Sequence, residues 1–252
     1  MAVVCVGDNI ETSGENFDRV SLDLPGRQLD FVKAVYATGT PVVLVMQSGR
    51  PVTAVWEQEH IPAILEAWFP GEQGGYAIAE VLFGDCAPSG RLPMTFPKHV
   101  GQIPCHYSRR PGGGKRYVEM NWLPLYPFGY GQTYTTFSFT DMTLSKKEIH
   151  QGESIIVSVT IVNTGSRKGA AVPQIYLRDQ VSSTVKPYYA LAGFAKVELE
   201  PKETRTVEII IGPKEMRTLS PEYRWSVEPG KFEVFLGDNA ENIIFRDEFT
   251  VL

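Results

Sequence analysis

The spacing of apolar residues divides the chain near its middle. Through about residue 100, continuous apolar runs alternate with segments of helical spacing; beyond about residue 137, short alternating runs follow one another. Ala2–Val6 (AVVCV) and Pro41–Met46 (PVVLVM) are apolar throughout, as strands covered on both faces are, and Ala63–Trp68 (AILEAW) reads as a third strand. Between them, Arg27–Ala37 carries Leu29, Val32, Ala34 and Tyr36 in a helical pattern. A short helix is expected from Pro51 to Glu59, and another from Gln73 to Phe83, ended by Gly84. Strand and helix alternating through short links predict parallel βαβ units over residues 1–100. A doubly wound domain uses about five or six strands, and three or four are supplied here. The chain also starts directly on a strand, so the first domain is expected to be the C-terminal part of a longer one.

Residues 101–136 form an irregular bridge. Pro104, Pro111, Gly112 to Gly114, Pro124 and Pro127 break any long helix or central strand. Tyr107, Tyr117, Trp122, Tyr126, Phe128 and Tyr130 give the bridge too much aromatic surface to hang free, so it should pack over something. Residues 137–252 change to Ser154–Val162, Val172–Arg178, Ala190–Leu199, Thr204–Ile211 and Lys231–Leu236, separated by turn signals such as Asn163-Thr164-Gly165 and Pro229-Gly230. That rhythm predicts an antiparallel β-sandwich of immunoglobulin-like or fibronectin type. The fold class is therefore α/β plus all-β: a partial parallel-sheet domain followed by a β-sandwich.

Chemistry is sought first where the apolar run Ala2–Val6 breaks at Gly7 into a polar loop. Asp8, Glu11, Glu15 and Asp18 fall within eleven residues there, followed by Arg19. Open α/β sheets bind ligands outside the carboxyl ends of their strands, and Glu15 is the leading candidate, with Gly14 allowing close approach of a ligand. A solvated loop glutamate is the bland alternative. Glu11 is the second choice. Asp18 and Arg19 read as a structural pair, Glu72 as a carboxylate at a helix N-terminus, and Asp85 as a turn former. Trp56 and Trp68 read as core residues, with stacking on a ligand the less favoured use.

Composition narrows the classes. A net charge of -5 with no block of one sign argues against nucleic acid as a partner. No apolar run is long enough to cross a membrane, and MAVVCVGD lacks the basic and apolar regions of a signal peptide. His60, His99, His106 and His150 are scattered, so no metal site or other cofactor is expected. Cys5 reads as an inert core residue, and a Cys86–Cys105 bridge is left open, since spacing alone establishes no disulfide. The compartment is undetermined.

Five ordered segments then carry a resemblance: SGENFDR (Ser13–Arg19) with LDLPGRQ (Leu22–Gln28), AWFPGEQGG (Ala67–Gly75), GDCAPSGRLPMTFP (Gly84–Pro97), YPFGYGQTYTTF (Tyr126–Phe137), and PQIYLRD with LAGFAKVEL in the sandwich. Together they resemble glycoside hydrolase family 3, in its multi-domain β-glucosidase and β-xylosidase branch. The resemblance implies a retaining exo-β-glycosidase acting on a β-linked oligosaccharide or aryl glucoside, with β-glucosidase favoured and β-xylosidase the alternative. It implies an aspartate nucleophile on a barrel domain and an acid/base glutamate on the α/β domain, which falls on Glu15. The sandwich corresponds to the family's fibronectin type III-like domain. The barrel's Ser-Asp-Trp-like motif occurs nowhere in the 252 residues. The expected partner is therefore a barrel portion, or failing that a self-association partner. A non-enzymatic structural or binding module is the rival reading.

Overall fold

The computed structural model describes residues 1–112 and 116–252, so Gly113 and Gly114 of the triple-glycine run lie outside the described residues. Two compact units form. The first comprises Met1–Cys86, Met94–Cys105 and Trp122–Tyr126; the second comprises Ala87–Pro93, His106–Asn121 and Pro127–Leu252.

The first unit is α/β. Its elements are β1 (Ala2–Gly7), α1 (Gln28–Ala37), β2 (Val42–Gln47), α2 (Val55–His60), β3 (Ala63–Glu66) and α3 (Gly74–Phe83). The three strands make a parallel sheet in the order β1-β2-β3, with Val4 opposite Leu44 and Leu44 opposite Ile64. Val4, Val6, Val32, Leu44 and Met46 form its core. Helix α2 starts four residues later than the sequence suggests, because Val52 and Ala54 are drawn into that core ahead of it. At the end of β1, Gly7 has φ +142, and a Cβ there would lie 1.9 Å from the Gln47 carbonyl oxygen, so β1 and β2 can close together only over glycine.

Cys5 is not a core residue. It is exposed, like Val3, because β1 is an edge strand whose alternate side chains leave the packed face. None of Cys5, Cys86 and Cys105 is in a disulfide among the described residues.

The second unit is a β-sandwich. One sheet, β11-β6-β4, comprises Thr204–Ile211, Ile155–Asn163 and Phe137–Leu144. The other, β5-β15-β14-β8-β9, comprises Glu148–Ile149, Ile243–Val251, Gly230–Gly237, Gln174–Asp179 and Ala190–Phe194. Two minor pairs, β7 (Gly169–Ala171) with β10 (Val197–Leu199) and β12 (Thr218–Leu219) with β13 (Trp225–Ser226), complete it. Ile155, Val157, Val159 and Ile161, alternate residues of β6, are fully buried, and Phe232 of β14 stacks on Phe249 of β15 at 5.4 Å between ring centres.

The apolar run Ala190–Leu199 is two strands rather than one, and Val172–Arg178 likewise gives way to a strand that begins at Gln174. Pro173 has no N–H to donate to a ladder, so the chain changes partners there: β7 pairs with β10, and β8 with β9 and β14. The carbonyl of Pro173 accepts the N–H of Ala195, where the opposing run makes the same change.

The aromatic bridge packs, and it does so within both units. In the second, Tyr107 stacks on Phe128 at 4.1 Å and meets Tyr176 edge-on. In the first, Tyr126 lies beside Phe96, which in turn meets Trp68 edge-on at 5.7 Å.

Candidate functional site at the ends of the parallel strands

The three strands of the α/β unit end together, and each is followed by a polar residue: Asp8 after β1, Ser48 after β2, and Glu66 as the last residue of β3. Asp8 is the centre of this edge. Its side chain is only 2% exposed, with Arg19 Nη1 at 3.2 Å and Arg50 Nε at 3.5 Å. Ser48 Oγ donates to Oδ2 at 2.7 Å and Thr12 Oγ1 donates to Oδ1 at 3.0 Å. Burial pushes the Asp8 carboxyl up, but the Ser48 and Thr12 hydrogen bonds and the charges of Arg50 and Arg19 outweigh it and hold the group below the usual carboxylate range.

From Asp8 the arginines reach outward to the backbone. Arg50 Nη2 donates to the Thr12 carbonyl at 3.1 Å, and Arg19 Nη2 to the Asp23 carbonyl at 2.9 Å. The first part of the loop is thereby a tied turn. Thr12 and Ser13 N–H both donate to the Asn9 carbonyl, and Glu11 N–H donates to Asn9 Oδ1 at 2.9 Å. A second turn follows, in which Phe17 N–H donates to the Gly14 carbonyl, with Gly14 at φ +151 and Asn16 at φ +65.

Glu15 sits on the second turn and Glu11 on the first. Both are exposed, and neither carboxylate has a hydrogen bond or ion pair among the described residues. Phe17, the aromatic of the same loop, is 47% exposed, so no apolar pocket closes over Glu15 within the described residues. Asp18 and Arg19 do not pair: the guanidinium is taken by Asp8, which offers it a buried partner where Asp18 would offer a solvated one. Glu72 precedes the N-cap Gln73 of α3, and that helix has no side-chain cap and no acid in its first turn. Asp85 follows the left-handed Gly84 and donates its N–H to the Glu80 carbonyl, as a turn residue does. Trp56 stacks on His60 at 4.4 Å.

Glu66 is the site residue that sequence reasoning passed over. Its Oε1 accepts the N–H of Trp68 at 3.1 Å, while Oε2 is buried with no hydrogen-bond partner among the described residues. Burial raises its carboxyl to about 7; the Trp68 N–H opposes the shift and the Asp8 charge adds to it. Trp68 itself is left-handed, at φ +51, a conformation that non-glycine residues seldom adopt. One acid inside the apolar run AILEAW was the available signal. Ser48 and Arg50, the polar residues that follow β2, could have been found by the same rule that drew attention to Asp8.

This edge therefore holds one carboxyl held below the usual carboxylate range, one raised to about 7, and two exposed glutamates on the loop. Two carboxyl groups with opposed environments are what acid/base chemistry requires. The pattern of the glycosyl hydrolase family 3 C-terminal domain matches residues 1–134, and that of a fibronectin type III-like domain matches residues 171–240. The chain belongs to glycoside hydrolase family 3. It is 41% identical over 254 residues to a periplasmic β-glucosidase of Salmonella typhimurium, covering 96% of this chain and 33% of the relative. A β-xylosidase of Formosa agariphila is 40% identical over 243 residues, covering 95% of this chain and 34% of the relative. The structure of a β-glucosidase from Erythrobacter marinus superposes with a TM-score of 0.94 at 38% identity, covering 99% of this chain and 34% of that one. The chain thus spans about a third of the length of the curated relatives it matches. Its α/β plus β-sandwich architecture is that of the family.

Proposed function

We propose that this chain supplies the acid/base half of a retaining exo-β-glycosidase site, with β-glucosides the favoured substrates. The observation that carries the reading is the exposed acidic loop at the carboxyl ends of β1–β3, fixed from beneath by Asp8, Arg19 and Arg50. A retaining glycosidase needs a nucleophile and an acid/base carboxyl about 5–5.5 Å apart. The nucleophile belongs to the barrel that the family resemblance implies. Glu15 protonates the departing oxygen as that nucleophile attacks, then deprotonates the water that releases the sugar. To hold its proton until needed, the acid requires apolar walls; in this reading they come from the barrel and the bound sugar, because Glu15 is open to solvent on this chain. Similarity to β-glucosidases and to a β-xylosidase supports both sugars.

A second reading exchanges the two glutamates. Glu11 lies in the turn held directly by Asn9 and by the Arg50–Thr12 contact, so its backbone is the better anchored of the two. The same experiment tests both. When the chain is combined with a separately produced family barrel, Glu15→Gln should lower kcat/KM for cellobiose far more than kcat/KM for an activated aryl β-glucoside, whose departure needs little protonation. The same contrast in Glu11→Gln instead moves the role to Glu11. Equal loss on both substrates in both variants contradicts an acid on this loop.

A further inference from the structure

We propose that Asp8 is a positioning residue for the acid/base loop, acting as a buried anion that fixes the loop through Arg50 and Arg19. The inference rests on the reading that the acid/base carboxyl is on residues 9–19.

Asp8 joins segments far apart in sequence. Thr12 belongs to the loop, Ser48 and Arg50 to the connection after β2, and Arg19 to the point where the loop returns toward α1. Each arginine contacts Asp8 and also a backbone carbonyl, of Thr12 and of Asp23 respectively. The two guanidiniums are therefore clamps, and Asp8 orients both. The Arg50 clamp closes on Thr12, in the turn that bears Glu11 and three residues before Glu15. Charge matters here beyond shape. The arginine side chains are 18% and 24% exposed, and they face a carboxylate removed from water. An asparagine of the same size would offer one oxygen, place an NH2 against donors, and leave both cations without their counter-ion. Asp23 lies within reach of the charge of Arg19, but among the described residues Asp8 is the carboxylate that ion-pairs with both arginines. With Asp8 neutralised, the loop keeps its sequence and its glutamates and loses what aims them.

Misplacement of a catalytic group by about 1 Å can cost on the order of 100-fold in rate. The test has two arms. In this chain alone, hydrogen exchange of residues 9–19 should accelerate about tenfold or more in Asp8→Asn, as a segment of low local stability does, while the sandwich strands stay protected. Asp8→Glu should restore much of the protection. Arg50→Gln, which leaves Asp8 in place, should loosen residues 9–13 alone. In the enzyme completed with a barrel, Asp8→Asn should lower kcat/KM roughly 100-fold on cellobiose and much less on an activated aryl glucoside, whose glycosylation step needs little protonation. Unchanged exchange in residues 9–19 overturns the inference. Faster exchange with equal loss on both substrates also overturns it, reducing Asp8 to a structural role. If Glu15→Gln and Glu11→Gln themselves show equal loss, the acid/base reading has failed and the inference falls with it, an outcome told apart by those two variants.

Discussion

The two units of this chain treat similar apolar strands differently. In the sandwich, β6 alternates without interruption between fully buried Ile155, Val157, Val159 and Ile161 and their half-covered neighbours, and both of its edges are paired, to β4 and β11. In the α/β unit, β1 buries Val4 and Val6 but leaves Val3 and Cys5 exposed, and α3 presents Tyr76 and Phe83 at 75% and 80% exposure. The sandwich thus draws its stability from burial within itself. The α/β unit has a smaller core and places at its strand ends a set of charges that are costly to assemble. Polar groups held in that way seldom benefit stability, and they accumulate where chemistry is done. The contrast is one of degree. The sandwich sets the buried pair Lys186–Asp179 beside a larger core, whereas the α/β unit gathers two arginines on one buried carboxylate at its strand ends.

The largest effect that would test the contrast is a core truncation. Ile161→Ala, at a position with no exposure, should cost roughly 2–5 kcal/mol. Val3→Ala on the open face of β1 should change stability by less than about 0.5 kcal/mol. Urea melts followed by tryptophan fluorescence and by circular dichroism separate the two. Similar losses at both positions would erase the contrast.

A smaller effect concerns Glu66. Its carboxyl is raised in the folded state to about 7 from an ordinary 4.5. Between those values the folded chain holds a proton that the unfolded chain has released, so stability should fall as pH rises through that window and level off above it. The whole loss is at most about 3 kcal/mol. Thermal unfolding of the α/β unit at pH 5 and pH 8 should show the decline in the natural sequence, and Glu66→Gln should flatten it. A decline that survives the substitution assigns it to another group.

Much of this was legible in the chain. The parallel pairing of the strands followed from apolar runs alternating with helical segments, and Thr204–Ile211 was delimited correctly from alternation alone. Ile243–Val251 was not seen as a strand, because Arg246, Asp247 and Glu248 interrupt its apolar pattern; only pairing with β14 makes them the outer face and rim of a sheet. Cys5 misled because an apolar run does not say whether its strand is central or at an edge. At the site, the loop and its two glutamates were visible in DNIETSGENFDR, but the partner of Arg19 was not. Asp18 is its neighbour in sequence, whereas Asp8 becomes its neighbour only when the loop folds back over the strand end. Ser48 and Arg50 are likewise brought to Asp8 by the parallel pairing of β1 with β2, a contact across forty residues that no local pattern encodes.

The most direct measurement of the central claim is anion rescue. In a retaining enzyme lacking its acid/base carboxyl, an activated aryl β-glucoside still forms the glycosyl-enzyme, and azide can then take the place of the activated water. Glu15→Ala, in the chain combined with a barrel, should be accelerated by azide and should yield β-glucosyl azide with retained configuration. Azide should leave Glu11→Ala unaffected. Rescue of Glu11→Ala alone would transfer the role to that residue, and no glycosyl azide from either variant would contradict an acid/base carboxyl on this loop.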